Sequence, residues 1–300
     1  MRSEITLDSS SESWTLGSVM AHARRRLVAS GIEAADREAR WLIEDALGLT
    51  GSRLLLDSAR LLTGPEMAKV DAYVSRRAAR EPLQYILGIQ EFCGLEFEVN
   101  PAVLIPRPET ELLLQEVIRR LPRGERATVV DVGTGSGCLA VTVARALPNV
   151  RVLATDLSGQ ALVTAKRNAR RHGVEQAIHW LEGDLLAPLS AEGCEGTVTA
   201  ILANPPYIRE AEWGGLQPEV GLYEPRMALV AGARGTELHE RLLAEAVSCL
   251  RPGGLLAMEL GQGQSAEIRA KIEAMPAYGR AEILPDEAGI DRIVIVERVG

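Results

Sequence analysis

Thr128-Val129-Val130-Asp131-Val132-Gly133-Thr134-Gly135-Ser136-Gly137 carries a β-branched run straight into a glycine turn, and Leu139, Val141, Val143, Ala144 and Leu147 then continue at helical spacing. This pattern predicts a strand, a glycine loop and a helix. Free amides at the helix start favour an electronegative ligand group, and residues without side chains let the backbone approach it closely. The spacing Gly-x-Gly-x-Gly departs from the Gly-x-Gly-x-x-Gly dinucleotide fingerprint, which favours a nucleoside without a pyrophosphate.

Three further strand ends point to the same place. Arg151 to Thr155 predicts a second strand ending at Asp156, roughly 20 residues past the loop, where a carboxylate can accept both hydroxyls of a ribose. Ile178, Trp180 and Leu181 precede Glu182-Gly183-Asp184-Leu185, a polar and apolar pair suited to adenine: Asp184 for the exocyclic amine, Leu185 for the ring. Val198, Ala200, Ile201 and Leu202 lead into Ala203-Asn204-Pro205-Pro206-Tyr207. Pro205 excludes the helical conformation for Asn204, and neither proline donates a backbone hydrogen bond, so the carbonyls of this turn remain outward acceptors. An Asn oxygen, a proline carbonyl and an aromatic face make a socket for a flat group bearing an NH2, either a carboxamide or a nucleobase amine. Together the four strand ends form the carboxyl edge of an open α/β sheet, the place where such sheets bind ligands.

Composition bounds the class. Three hundred residues with a net charge of −8 suggest about two domains and argue against a protein whose affinity comes from phosphate contacts. Cys93, Cys138, Cys194 and Cys249 have neither zinc nor redox spacing and read as free thiols, most of them core fillers, in a reducing compartment. The chain has no run of about 18 apolar residues and no signal-peptide pattern at its start, so a cytosolic protein without a membrane span is expected. The four histidines form no catalytic pattern, and no metal site is expected.

The organisation reads in four parts. Residues 1–13 are Ser- and Glu-rich and predict a disordered tail. Residues 14–82 predict a small helical bundle: Leu16, Val19, Met20, Ala23, Leu27 and Val28 share one stripe, Ala39, Leu42, Ile43, Ala46 and Leu47 another, and Thr63 with Glu66 caps a helix carrying Met67, Val70 and Val74. Arg24-Arg25-Arg26 and Arg76-Arg77 read as solvated faces. Residues 83–105 predict a β-hairpin linker, with Gln84 to Gly88 in its first arm and Gly94 in its turn. Residues 106–300 supply the sheet, with further strands at Gly253 to Leu260 and Arg292 to Val296, and Trp213 to Gly235 is long enough to act as a cover over the site.

On Arg80-Glu81-Pro82-Leu83-Gln84-Tyr85-Ile86-Leu87-Gly88, Leu104-Ile105-Pro106-Arg107-Pro108-Glu109-Thr110-Glu111, Asp131 to Gly137, Asn204-Pro205-Pro206-Tyr207 and Tyr223-Glu224-Pro225-Arg226-Met227-Ala228-Leu229, the chain resembles the class I S-adenosylmethionine methyltransferases. More narrowly it resembles the HemK/PrmC family, protein-(glutamine-N5) methyltransferases of peptide chain release factors. The resemblance implies an α/β, Rossmann-like methyltransferase domain whose last strand is antiparallel, joined by the hairpin to an N-terminal bundle that recognises substrate. It implies S-adenosyl-L-methionine as cofactor, S-adenosyl-L-homocysteine as product, and methyl transfer to the glutamine of the Gly-Gly-Gln motif in class I release factors. The expected cofactor-binding residues are Gly133, Thr134, Gly135, Ser136, Gly137, Asp156, Asp184, Leu185 and Asn204. Asn204, Pro205 and Tyr207 are the expected catalytic residues, and these with Pro206 the expected substrate-binding set. A monomer that touches neither nucleic acid nor membrane is expected. The alternatives are a glutamine methyltransferase of a ribosomal protein, a DNA or RNA amino-methyltransferase using the same socket for a flipped base, a silent nucleotide-binding module, and an NAD oxidoreductase.

Overall fold

In the computed structural model, residues 13–121 and 127–300 are described, and the predicted tail over residues 1–13 lies outside them except for Ser13. The chain divides into two compact units, residues 1–87 and 88–300.

The first unit is helical: α1 Leu16–Ala29, α2 Ala35–Leu47, α3 Gly51–Leu56, α4 Gly64–Ala78 and α5 Leu83–Leu87. Thr15 and Thr63 each take a backbone amide three residues on, and the Ser18 and Glu66 side chains reach back, closing two capping boxes. Leu16, Val19, Ala23 and Leu27 of α1 meet Ala39, Leu42 and Ile43 of α2 and Val70 and Val74 of α4 in one core. Three sequence readings change here. Val28 lies outside the stripe and is exposed. Arg24, Arg25 and Arg76 are exposed, as solvated faces require, but Arg77 is buried against Glu38 at 2.5 Å, and half-buried Arg26 pairs with Asp71 and reaches Ser75 at 2.9 Å. Residues Gln84 to Leu87 are helical rather than extended, because the Pro82 carbonyl accepts the amides of Tyr85 and Ile86 and closes a turn before Gly88.

The second unit opens with a hairpin, β1 Ile89–Phe92 and β2 Leu95–Glu98, joined by Cys93 and Gly94 with φ of 51° and 73°. Two positive φ values in a two-residue loop are what a tight hairpin requires. Phe92 and Phe97 enter the core of this unit, so the hairpin is part of it rather than a free linker. There follow α6 Pro108–Arg120, β3 Ala127–Val132, α7 Cys138–Ala146, β4 Val150–Asp156, α8 Gly159–Arg171, β5 Ile178–Glu182, β6 Val198–Ala203, β7 Ile208–Arg209, α9 Pro218–Tyr223, β8 Val230–Gly232, α10 Glu237–Cys249, β9 Leu250–Glu259, α11 Ser265–Glu273, β10 Glu282–Pro285 and β11 Asp291–Glu297.

Seven strands form one sheet in the order β10-β11-β9-β6-β3-β4-β5. Strands β3, β4, β5, β6 and β9 are parallel, and β11 runs antiparallel to both its neighbours. Side chains alternate between two buried layers: Val130, Ile201, Leu256 and Met258 face one way with Leu242 and Ile268, while Val129, Ala200, Leu202 and Ala257 face the other with Leu113 and Leu139. The chain reverses its direction of travel across the sheet at β3, which opens a crevice at the carboxyl ends of β3, β4 and β6.

Candidate active site

The glycine loop after β3 turns with φ of 69°, 56° and 82° at Gly133, Gly135 and Gly137, values that ordinary side chains resist. It is held from below. Buried Asp131 accepts the Thr134 hydroxyl at 2.6 Å and the Ala140 amide at 3.1 Å on one carboxylate oxygen, and burial pushes this carboxyl up to about 7. Asn168 of α8 donates to the Ser136 carbonyl at 2.8 Å and also clasps Glu98 of the hairpin. Thr134 and Ser136 are therefore buried supports of the loop, while Gly133 and Gly135 line the crevice. Gly137 caps α7, where an added Cβ would stand 3.0 Å from that of Ala165.

Asp156 ends β4 at the lip of this crevice. Its two oxygens accept the amides of Gly135 and Ser158, both at 2.8 Å, which fixes the carboxylate and leaves a further lone pair on each oxygen. Burial raises its pKa against the opposing effect of those two bonds. Asp184 also lines the crevice, but it is half exposed and its carboxylate is shared with Arg241 at 2.8 Å. Leu185 beside it holds φ at +45°, an uncommon conformation for a branched side chain, and adds to an apolar wall with Leu157 and Ala161.

Asn204 leaves the sheet at the end of β6. Since Ala203 pairs with Met258, Asn204 and Glu259 emerge side by side. Thr110, in the first turn of α6, bridges them: it receives Asn204 Nδ2 at 3.1 Å and donates to Glu259 Oε2 at 2.7 Å. The Tyr207 hydroxyl donates to Glu259 Oε1 at 3.3 Å. Burial pushes the Glu259 carboxyl up to about 7, against the Thr110 bond that lowers it, and burial likewise raises the Tyr207 phenol. Gln264 pins the Tyr207 carbonyl at 3.0 Å and takes the Gly261 amide at 2.9 Å. Buried Glu224 accepts the Ile105 amide at 3.2 Å and pairs with Arg107, tying the extended Pro-Arg-Pro segment to the chain beyond α9.

Asn204, Leu104 and Ala228 border two cavities at once. One is the crevice, which Pro206, Pro225 and Met227 also line; the other is bounded by Arg107, Tyr207, Ile208, Leu216, Val220 and Leu229. The segment from Trp213 to Gly235 thus contributes walls to both, folded as short turns around α9 and closed by the parallel pair β7 and β8. Pro205 is buried and Tyr207 belongs to the second cavity rather than to the crevice. Sequence reasoning did not find Glu259, Gln264 or the roles of Thr110 and Glu224. A carboxylate closing the apolar run Leu255 to Met258 was the available signal.

Two family models match the chain: the PrmC N-terminal domain over residues 18–88 and the methyltransferase small domain over residues 108–214. A release factor glutamine methyltransferase of Geobacter sulfurreducens is 42% identical over 283 residues, covering 94% of this chain and 96% of that protein. One of Moorella thermoacetica is 43% identical over 284 residues, covering 95% and 99%. Among solved structures, a methyltransferase from Pyrococcus furiosus aligns at a TM-score of 0.50 with 21% identity, covering 77% of this chain and 98% of that one. The hMettl16 catalytic domain in complex with a 3′UTR hairpin aligns at a TM-score of 0.53 with 16% identity, covering 80% and 84%. Both share the fold.

Proposed function

The chain belongs to the release factor glutamine methyltransferase family, and on that premise we propose that it transfers a methyl group from S-adenosyl-L-methionine to the side-chain amide nitrogen N5 of the glutamine in the Gly-Gly-Gln motif of class I peptide chain release factors. The observation that carries this reading is Asn204, set between two cavities with its NH2 occupied by Thr110 and its Oδ1 left as an acceptor.

The crevice residues fit the cofactor by their chemistry. Asp156 offers a fixed carboxylate with spare acceptor positions for ribose hydroxyls, Gly133 and Gly135 leave room for the backbone to approach a ligand, and Leu185 with Leu157 offers an apolar face to a purine. When bound, the cofactor supplies a methyl group on a sulfonium.

An amide nitrogen is a poor nucleophile because its lone pair is delocalised into the carbonyl. Asn204 Oδ1 and the Pro205 carbonyl accept its two N–H bonds, which orients the nitrogen and favours its pyramidal form. Positioning of this kind is worth several kcal/mol of effective molarity, about 7 to 11 in the best cases, and the preorganised acceptors add electrostatic stabilisation as positive charge grows on nitrogen. The proton is strongly acidic once the methyl has transferred, so it leaves without a dedicated base. Leu216, Val220 and Leu229 give the second cavity an apolar wall beside Asn204. Tyr207 continues that wall on the substrate side, whereas Pro206, expected beside the substrate, lines the crevice. The same reading takes the enzyme as a monomer that acts on a translation factor in the cytoplasm; among the described residues no helix is long and apolar enough to cross a membrane.

Incubation with S-adenosyl-L-methionine and a purified class I release factor tests the reading. Peptide mass spectrometry is expected to find a single added methyl on the Gly-Gly-Gln glutamine. An unmodified glutamine, or a methyl on another residue, overturns it.

A further inference from the structure

Glu259 closes β9 with 2% of its surface exposed, and among the described residues it makes no ion pair within contact distance. The groups that face it come from every element packed around it: Glu109 and Thr110 on α6, Tyr207 beyond β6, Arg292 on β11, and His239 on α10, whose Nε2 lies 2.8 Å from the Glu259 backbone carbonyl. The charge of Glu109 opposes ionisation of Glu259, and that of Arg292 favours it.

The proton count along Glu259, Thr110 and Asn204 decides which end of the Asn204 amide faces the substrate. A hydroxyl has one proton to give. When Glu259 is a carboxylate it can only accept, so Thr110 gives it that proton. The Thr110 oxygen can then only accept from Asn204, whose NH2 must turn toward it, and Oδ1 is left facing the cavities. When Glu259 is protonated it can donate to Thr110, and the Thr110 proton is released toward Asn204 Oδ1. The amide then turns its NH2 outward, a donor set against the NH2 of the incoming glutamine.

We propose that Glu259 is a positioning residue: as a carboxylate it acts through Thr110 to hold the Asn204 oxygen toward the target amide, and its protonation releases that orientation. The proposal rests on the reading of Asn204 as the acceptor for the target amide. Burial pushes the Glu259 carboxyl up to about 7, which brings its titration within the range of a rate assay.

Single-turnover methyl transfer at saturating S-adenosyl-L-methionine, measured from pH 6 to pH 8.5, tests it. The wild-type rate is expected to fall about tenfold from pH 8 to pH 6, as one carboxylate with this pKa takes up its proton. In Glu259→Gln that acid limb disappears. Thr110→Val lowers the rate at pH 8 at least tenfold while the affinity for S-adenosyl-L-methionine by calorimetry is unchanged, and Thr110→Ser, which restores the hydroxyl, recovers it. Thr110→Ser and the Glu259→Gln pH profile carry the test if Thr110→Val does not fold. An unchanged acid limb in Glu259→Gln, or a wild-type rate in Thr110→Val beside an inactive Asn204→Ala, overturns the positioning role and leaves the reading of Asn204 standing. An active Asn204→Ala overturns that reading itself.

Discussion

Replacing Asp156 with alanine separates ligand binding from loop architecture, because this carboxylate serves both. In the free protein it accepts the Gly135 and Ser158 amides at 2.8 Å, so the substitution leaves two donors without a charged acceptor. A hydrogen bond to a charged group contributes about 1.5–3 kcal/mol net. The carboxylate also carries a desolvation cost, visible in its raised pKa, and that cost is relieved when it is removed. Stability should therefore fall by about 2 kcal/mol, less than two full bonds would give. Ligand binding loses the acceptors for the ribose hydroxyls, again about 1.5–3 kcal/mol, which is roughly a 10- to 150-fold weaker Kd. Calorimetric titration with S-adenosyl-L-homocysteine reads the affinity, and urea unfolding without ligand reads the stability. Asp156→Asn keeps the volume and one acceptor but turns an NH2 toward one of the amides, and should fall between the two. A Kd for Asp156→Ala within about twofold of wild type would refute the assignment of Asp156 to the cofactor, whatever happened to stability.

Two other outcomes follow from the same geometry. Asn204→Ala should lower kcat by about 10² or more, the scale for one preorganised polar contact, with cofactor affinity measured alongside because Asn204 also borders the crevice; Asn204→Asp, which still accepts from an NH2, should retain more activity than Asn204→Ala, and equal near-wild-type rates would sink the mechanism. The ligand-free protein should lose stability as pH rises from 5 to 8, since Asp131 and Glu259 each have a folded pKa raised to about 7. A raised carboxyl favours the folded state while protonated, and that contribution is lost as pH climbs from the ordinary carboxylate range through the folded value, at up to about 1.4 kcal/mol per pH unit per group. Urea denaturation across that window should show the slope, and Asp131→Asn should flatten it; a slope unaltered in that variant would contradict the raised value.

The parts of the fold legible in the sequence are those whose cause is local. Val129 to Gly137 and the helix after it declare themselves within some 20 residues, because strand, turn and helix each leave a different period. The strand-end positions Asp156, Leu185 and Asn204 could likewise be placed together, since parallel strands deliver their carboxyl ends to one edge. What stayed hidden depends on which way a side chain turns or on a distant partner. Thr134 and Ser136 sit inside the motif yet are buried: Thr134 gives its hydroxyl to Asp131, and the Ser136 carbonyl accepts from Asn168. Arg77 reads as a surface charge until α2 brings Glu38 across to it. Gln84 to Leu87 contain the aromatic and β-branched residues of a strand, Tyr85 and Ile86, but the Pro82 carbonyl turns them into a helix. The bond between Thr110 and Glu259 spans 149 residues, and no period or motif spacing encodes such a pair.

That hidden layer is also where the unit accepts a stability cost. Asp131 and Glu259 are both 2% exposed, and burial penalises the charged form of each. Their positions show what each carboxylate holds. Asp131 lies under the glycine loop and holds it through Thr134 and Ala140; Glu259 lies under Asn204 and holds it through Thr110. Each buried carboxylate thus anchors one of the two ligand-facing elements from the side away from ligand. An apolar replacement would pack, but it would free the loop in one case and the amide in the other, and a site whose catalysis is mostly positioning has most to lose from that freedom. Stabilising substitutions at Asp131 or Glu259 should therefore raise the unfolding midpoint and lower turnover together, whereas apolar changes in the Leu113, Val129 and Leu139 layer that conserve volume should leave turnover alone.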